Sequence, residues 1–169
     1  ADALARIGPP AIEALTGLLI SGGVVKRQVA AHALKQMNWH PTRDAAGAVF
    51  WILTYEPKKC VAIGAPAVEA LIEGLAYAPM KDTRKDIMLA LYRIGDPRAI
   101  PALIAYLTKV TYEDENEAAA NYLVGFGRKA VEPLIDALED YHTRQQAAVA
   151  RVLGRIGDAR AIGPLTVLL

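Results

Sequence analysis

The sequence predicts an all-α array of stacked helix pairs, an α-solenoid, and three observations carry that prediction. One phrase is written twice: LYRIGDPRAIPALIAYL from Leu91 and LGRIGDARAIGPLTVLL from Leu153 lie 62 residues apart. An apolar residue followed by glycine recurs at Ile7-Gly8, Ile63-Gly64, Ile94-Gly95, Phe126-Gly127 and Ile156-Gly157, in steps of 56, 31, 32 and 30 residues, and a fixed period of this size is the mark of a repeat architecture. Between these pivots apolar residues keep helical spacing, as in Val131, Leu134, Ile135 and Leu138 and their counterparts Val68, Leu71, Ile72 and Leu75.

The first step is nearly double the others. Halfway through it stand Leu34, Met37 and Asn38, with asparagine in the glycine's place, and asparagine is the ordinary residue best able to adopt the left-handed conformation that ends a helix. The steps then read 30, 26, 31, 32 and 30, so six pivots divide the chain into about five two-helix repeats with a partial helix at each end. Three residues before the apolar member of each pivot sits Leu4, Leu34, Cys60, Leu91, Leu123 or Leu153, a register position predicted to fill the space between helices.

After each pivot a first helix starts. Asp96 and Asp158 are placed to accept hydrogen bonds from free amides of the first turn, and Pro97 has the fixed φ of a first helical position. Pro101, Pro133 and Pro164 fall within that first turn, where an amide has no intrahelical partner to lose. A polar break leads into the second helix, expected over 81–94, 112–126 and 142–156. Isolated helices of about 10–15 residues are marginal in water, so neighbours must hold them. Alanines at Ala30, Ala33, Ala90, Ala118 and Ala119 allow the close approach that stacking needs.

Residues 1–169 are read as a single repeat domain. With 53% apolar and 22% charged residues the chain is ordered and soluble, and a net charge of +1 supplies no global field for nucleic acid or an anionic membrane. One cysteine, Cys60, forms no internal disulfide and fits a reducing compartment. Apolar runs such as AVFWIL from Ala48 fall far short of the roughly 20 residues of a membrane span, and no signal pattern opens the chain, so a cytoplasmic protein is expected. The chain begins without methionine inside a helical phrase, ADALARIG, and both ends cut through a repeat. It is therefore read as a piece of a longer array, whose uncovered end helices would allow a homodimer.

The repeat at 38–64 departs from the pattern. It is short, and Trp39, Phe50, Trp51 and Tyr55 place four of the chain's eleven aromatic residues within 17 positions. An elongated first helix is expected over 42–55, begun by HPT and halted near Pro57, with a stub of second helix over 58–63. The aromatics either fill the space left by the shortened helix or present an exposed hot spot through Trp51 or Tyr55, since tryptophan and tyrosine are favoured interface anchors.

In each second helix the core positions lie one, four, five and eight residues before the glycine of the pivot. Positions two, six and ten before it share the opposite, open face. That face carries Gln28, His32 and Gln36; Lys85, Leu89 and Arg93; Glu117, Asn121 and Gly125; and Ala147, Arg151 and Arg155. Neither uniformly charged nor apolar, it suits a protein or peptide. Glu117 and the acidic run EDENE from Glu113 separate the basic groups and would repel a continuous phosphate backbone, which argues against nucleic acid.

Reactive constellations are not found. His32, His40 and His142 lack metal-ligand spacing, and Cys60 has no companion cysteine and shares the register of Leu34 and Leu91. Gly22-Gly23 links two helices without the strand and lysine of a phosphate cradle. Carboxylates such as Glu69 and Glu73 have the spacing of an ordinary solvated helix face.

The phrases RIGDPRAIPALIAYL, RIGDARAIGPLTVLL and GFGRKAVEPLIDAL resemble HEAT-like repeats of the phycobilisome lyase type, and the likeness runs over almost the whole chain. The Trp39-His40-Pro41 interruption resembles one familiar from prokaryotic proteins of this repeat type. The resemblance implies a right-handed α-α superhelix of HEAT-like or armadillo type, with second helices on the concave side. It does not imply one function, because similar repeats serve chromophore-lyase subunits, enzymes and interaction modules. Deoxyhypusine hydroxylases, built from similar repeats, hold iron through His-Glu pairs that this chain lacks.

The expected function is a non-catalytic scaffold without metal or cofactor, binding a protein or peptide on the second-helix surface. Its expected contact residues are Gln28, His32, Gln36, Lys85, Leu89, Arg93, Asn121, Arg151 and Arg155, joined by Trp51 and Tyr55 of the aromatic repeat. Two alternatives stay open: a phycobilin-lyase-like subunit holding a tetrapyrrole by the aromatic repeat and the arginines, and a nucleic-acid-binding solenoid. No membrane partner is expected.

Overall fold

The structure, a computed structural model, describes residues 8–109, 113–140 and 144–168. Among them the regular elements are all helical, with no strand. They are α1 (Pro9–Ser21), α2 (Val24–Gln36), α3 (Ala45–Leu53), α4 (Val68–Tyr77), α5 (Lys81–Ile94), α6 (Ala99–Lys109), α7 (Glu113–Phe126), α8 (Val131–Asp140), α9 (Arg144–Ile156) and α10 (Ile162–Thr166). Turns of 3-10 helix lie at Pro57–Ala62, Ala65–Ala67, Gly127–Ala130 and Ala159–Ala161. The core position Leu4, the pivot residue Ile7 and the expected helix starts at Tyr112 and His142 lie outside the described residues.

Every pivot glycine turns the backbone left-handed. Gly8, Gly64, Gly95, Gly127 and Gly157 have φ between 58° and 78°, and Asn38 takes the same region at 50°. At Asn38 the exit is closed by the Trp39 amide donating to the Leu34 carbonyl at 3.0 Å, which satisfies a carbonyl that the end of α2 would otherwise leave open. The aspartates after the pivots accept as expected: the Arg98 amide donates to Asp96 Oδ1 at 3.0 Å, and the Arg160 amide to Asp158 Oδ1 at 3.1 Å. A feature the sequence reading missed is the arginine two residues on. Arg98 Nη2 reaches Asp96 Oδ2 at 2.7 Å and Arg160 Nη2 reaches Asp158 Oδ2 at 3.0 Å, so one carboxylate holds both an amide and a guanidinium fork. Pro101, Pro133 and Pro164 are each the third residue of their helix.

The chain forms two compact units, one ending at Ala90 and the other beginning at Leu91. In the first, α1 packs on α2 and α3, and α3 on α4. Leu15, Leu19, Ala30, Leu34 and Phe50 are buried together there, with Trp39 and Trp51 packed against them. In the second, α6 packs on α7, α8 on α9, and α9 also on α6 and α7. Its core includes Leu91, Leu103, Leu123, Leu134 and Leu153. The register position three residues before the pivot is buried at Leu34, Cys60, Leu91, Leu123 and Leu153. Ala30, Ala33, Ala90 and Ala119 are buried as well, whereas Ala118 is only half-buried.

The aromatic repeat corrects two expectations. Its first helix is not 42–55 but Ala45–Leu53, and its second helix is the 3-10 turn Pro57–Ala62 rather than an α-helical stub over 58–63. The late start follows from Asp44, whose Oδ1 accepts from the Gly47 amide at 2.9 Å while Oδ2 accepts from the Thr42 hydroxyl at 2.7 Å. That cap holds 42–44 outside the helix. Gly47 permits the close approach, since a Cβ there would lie 1.9 Å from the Thr42 carbonyl oxygen. The early stop is made by Tyr55, left-handed at φ 64°, with the Glu56 amide closing onto the Trp51 carbonyl at 2.8 Å. With the repeat shortened, helices two repeats apart in sequence touch: Arg27 of α2 pairs with Glu73 of α4 at 2.7 Å.

Among the described residues no helix is long and apolar enough to cross a membrane.

Candidate interaction surfaces

In the second unit the open face is built by α7, α9 and the last turn of α5. Glu117 and Asn121 stand one turn apart on α7, and Arg155 comes from the last turn of α9. Arg155 Nη1 donates to Glu117 Oε1 at 3.0 Å, and its Nη2 donates to the Asn121 side-chain carbonyl. One arginine thus bridges successive second helices. Arg93 and Arg151 are exposed and have no acidic partner among the described residues.

An aromatic stack joins the same face. Tyr92 and Tyr122 lie 5.2 Å apart at 24°, and Tyr92 meets Phe126 edge-on at 6.0 Å. Gly125 makes room for this stack, because a Cβ there would lie 2.5 Å from Tyr92 Cε2. The sequence reading missed Tyr92 and Tyr122, having assigned the second to a core position that the structure leaves half-buried. The available signal was a tyrosine near the helix end in two consecutive repeats, with a glycine facing it. The acidic run is also corrected: Glu115 does not face water but is fully buried, accepting a hydrogen bond from the Tyr106 hydroxyl. The helical turn that exposes Glu113 and Glu117 carries Glu115 to the opposite side.

In the first unit Gln28, His32 and Gln36 are exposed along α2, and the Gln36 amide donates to His32 Nε2 at 2.8 Å. Lys85 and Leu89 are half-buried on α5, so that helix turns less of this face outward.

The aromatic repeat frames a separate cleft of about 420 Å³. Phe50, 3% exposed, forms its floor, and Trp39 and Trp51 meet that ring edge-on at 5.3 and 5.2 Å, with interplanar angles of 78° and 74°. The Lys59 ammonium sits 3.9 Å above the Trp51 ring and pairs with Glu56 at 2.6 Å. Lys35 and His40 stand on the rim. Of the two anchors expected here, the structure brings Trp51 into the cleft and leaves Tyr55 outside it, exposed between the rim residues Thr54 and Glu56. Phe50 thus fills the core, as the packing reading expects, and the two tryptophans are half-buried along the cleft.

Cys60 is buried with its Sγ 3.7 Å from the Ala48 carbonyl oxygen. Burial pushes its thiol up to about 12, because a thiolate would lose its hydration there. Among the described residues no three His, Cys, Asp or Glu side chains come close enough to hold a metal ion.

These features define a helical repeat protein with exposed, side-chain-braced surfaces. The PBS lyase HEAT-like repeat matches residues 83–109 and 145–169, and these two segments are similar to repeats of that family. The two matched segments hold the twice-written phrase, and the aromatic repeat lies outside both. A search of curated proteins finds no match to this chain.

Proposed function

We propose that the chain is a non-catalytic interaction module that holds a protein or peptide against the exposed face of its second helices, in the cytoplasm and without a cofactor. The observation carrying this reading is the bracing of that face: Arg155 is fixed by Glu117 and Asn121, and Tyr92 by Tyr122. Side chains ordered before a partner arrives lower the entropy cost of association, and arginine and tyrosine are prominent among interface hot spots. Arg93 and Arg151 offer charge to a partner's carboxylates. The inert, buried Cys60 supports a module without a nucleophile.

A displayed peptide library selected on the immobilised chain supplies a ligand for the test. Arg93→Glu and Arg151→Glu should each weaken the selected peptide by about tenfold, the equivalent of 1.4 kcal/mol, with melting unchanged. Undiminished affinity in both variants would place the partner elsewhere and end this reading.

The family of the repeats favours a second reading, a phycobilin-lyase-like subunit in which the aromatic repeat and the arginines hold a tetrapyrrole and its propionates. A red-shifted bound spectrum on bilin titration supports it, and an unchanged spectrum at high micromolar pigment removes it. Nucleic acid is served less well, since Arg155 is already paired with Glu117.

A further inference from the structure

The cleft of the aromatic repeat has a chemistry different from that of the braced stripe. Its walls are the chain's two tryptophans, Trp39 and Trp51, both half-buried. Neither indole N–H has a hydrogen-bond acceptor among the described residues. A ligand can lay apolar surface on the indole area that Lys59 leaves open and can accept from N–H groups that no protein acceptor occupies. A second ammonium is disfavoured, because Lys59 already covers Trp51 and is tied to Glu56, and Lys35 and His40 add positive charge at the rim. Those two rim groups have no acidic partner among the described residues, which calls for a carboxylate on the ligand.

A polyproline II segment meets these conditions together. Its rings are flat, apolar and neutral, its carbonyls lack internal hydrogen bonds and point outward, and its stiffness reduces the ordering cost of binding. Aromatic-lined grooves are a recurring way of recognising such segments. We propose that the Trp39–Trp51 cleft is a binding site for a proline-rich peptide whose prolines adjoin an acidic residue. The site lies within the first unit and does not depend on the stripe of the second.

Because both tryptophans line the cleft, intrinsic fluorescence reports it directly. The probe is a synthetic peptide of consecutive prolines flanked by glutamates, titrated into the whole chain. A saturable change in tryptophan emission is expected, and Lys35→Glu should weaken the peptide several-fold. Trp51→Phe, which keeps a ring but removes the N–H, should weaken it by about tenfold, the loss of one well-made hydrogen bond. Arg151→Glu should leave the titration unchanged, so failure here and failure of the stripe reading are told apart. The proposal is overturned by the absence of saturation at about 1 mM peptide, weaker than a useful interaction. It is equally overturned if a glycine-serine peptide with the same glutamates binds as well, or if tetramethylammonium alone gives the saturable response. Trp51→Phe is read only with its helicity and melting at wild-type values, and Lys35→Glu, at an exposed site, carries the same decision if Trp51→Phe unfolds.

Discussion

The aromatic repeat and the regular repeats of the second unit solve the same backbone problem with different side chains. Each regular second helix of the second unit ends on a left-handed glycine, and the first helices after Gly95 and Gly157 begin beside an aspartate clamped by an arginine two residues on. The aromatic repeat also closes on a left-handed glycine, Gly64, but it is entered through a left-handed Asn38, its first helix stops at a left-handed Tyr55, and α3 starts from Asp44 without an arginine clamp. Its interior changes as well. Where the second unit packs Leu123 and Leu153 between helices, this repeat packs Phe50 flanked by two tryptophans. A repeat can therefore lose most of its second helix if its turns stay left-handed and bulkier rings occupy the space. The irregular packing leaves a cleft.

The largest effect should come from the cores. Phe50→Ala is expected to cost about 3–5 kcal/mol and Leu123→Ala about 2–5 kcal/mol, read from urea denaturation. If Phe50→Ala costs less than about 1 kcal/mol, the aromatic ring is not core and the comparison fails. A smaller pair of changes should carry opposite signs. Tyr55→Gly removes about 1–2 kcal/mol of left-handed strain and adds about 0.4–1 kcal/mol of unfolded-chain freedom, for a net gain of about 0.5–1 kcal/mol. Gly157→Ala should lose about that amount by the reverse argument. Nothing within 4 Å would touch its Cβ, so only the backbone contributes. Equal signs for the two would show that Tyr55 is held by its side chain rather than tolerated there.

The smallest effect separates the two kinds of helix start by pH. Asp158 is held down to about 2 by the Arg160 side chain and, after it, the Arg160 amide, while Asp44 is lowered chiefly by the Gly47 amide. Both carboxylates are more acidic folded than unfolded, so each stabilises the fold above the unfolded value of about 3.9. The Asp158 contribution is lost as pH falls from there toward 2. Asp158→Asn should therefore flatten the acid limb of a stability profile in that window. High salt should weaken the clamp at Asp158 more than the cap at Asp44, since only the clamp contains an exposed ion pair. A profile unchanged by Asp158→Asn would show that the clamp adds nothing to stability.

The regular part of the fold was legible because its signals are local. A glycine or asparagine that must turn left-handed, an aspartate at a first turn and a proline confined to that turn act within a few residues, and the end of Lys81–Ile94 at Gly95 follows from the first of them. The core register followed from periodicity, as the burial of Cys60 in a leucine position shows. The length of α3 did not follow. Only Thr42 read as the helix start, and its hydrogen bond to Asp44, which the sequence does not display, holds it outside the helix that Asp44 caps. Tyr55 carries no composition signal for a left-handed turn, so the expected helix ran past its true end.

The candidate surfaces were legible only in outline. Helical spacing put Arg93, Asn121, Arg151 and Arg155 on an exposed face, since angle around a helix depends on residue number alone. It could not show that Arg155 reaches across to Glu117, that Tyr92 lies on Tyr122 over Gly125, or that Glu115 turns inward to Tyr106. By itself the sequence determined the helices, their turns and the register of the core, because backbone sterics and a repeating apolar pattern act over short chain distances. Tertiary structure alone decided which side chains of separate helices meet and where the aromatic repeat stays open, because those outcomes depend on distances between segments far apart in the chain.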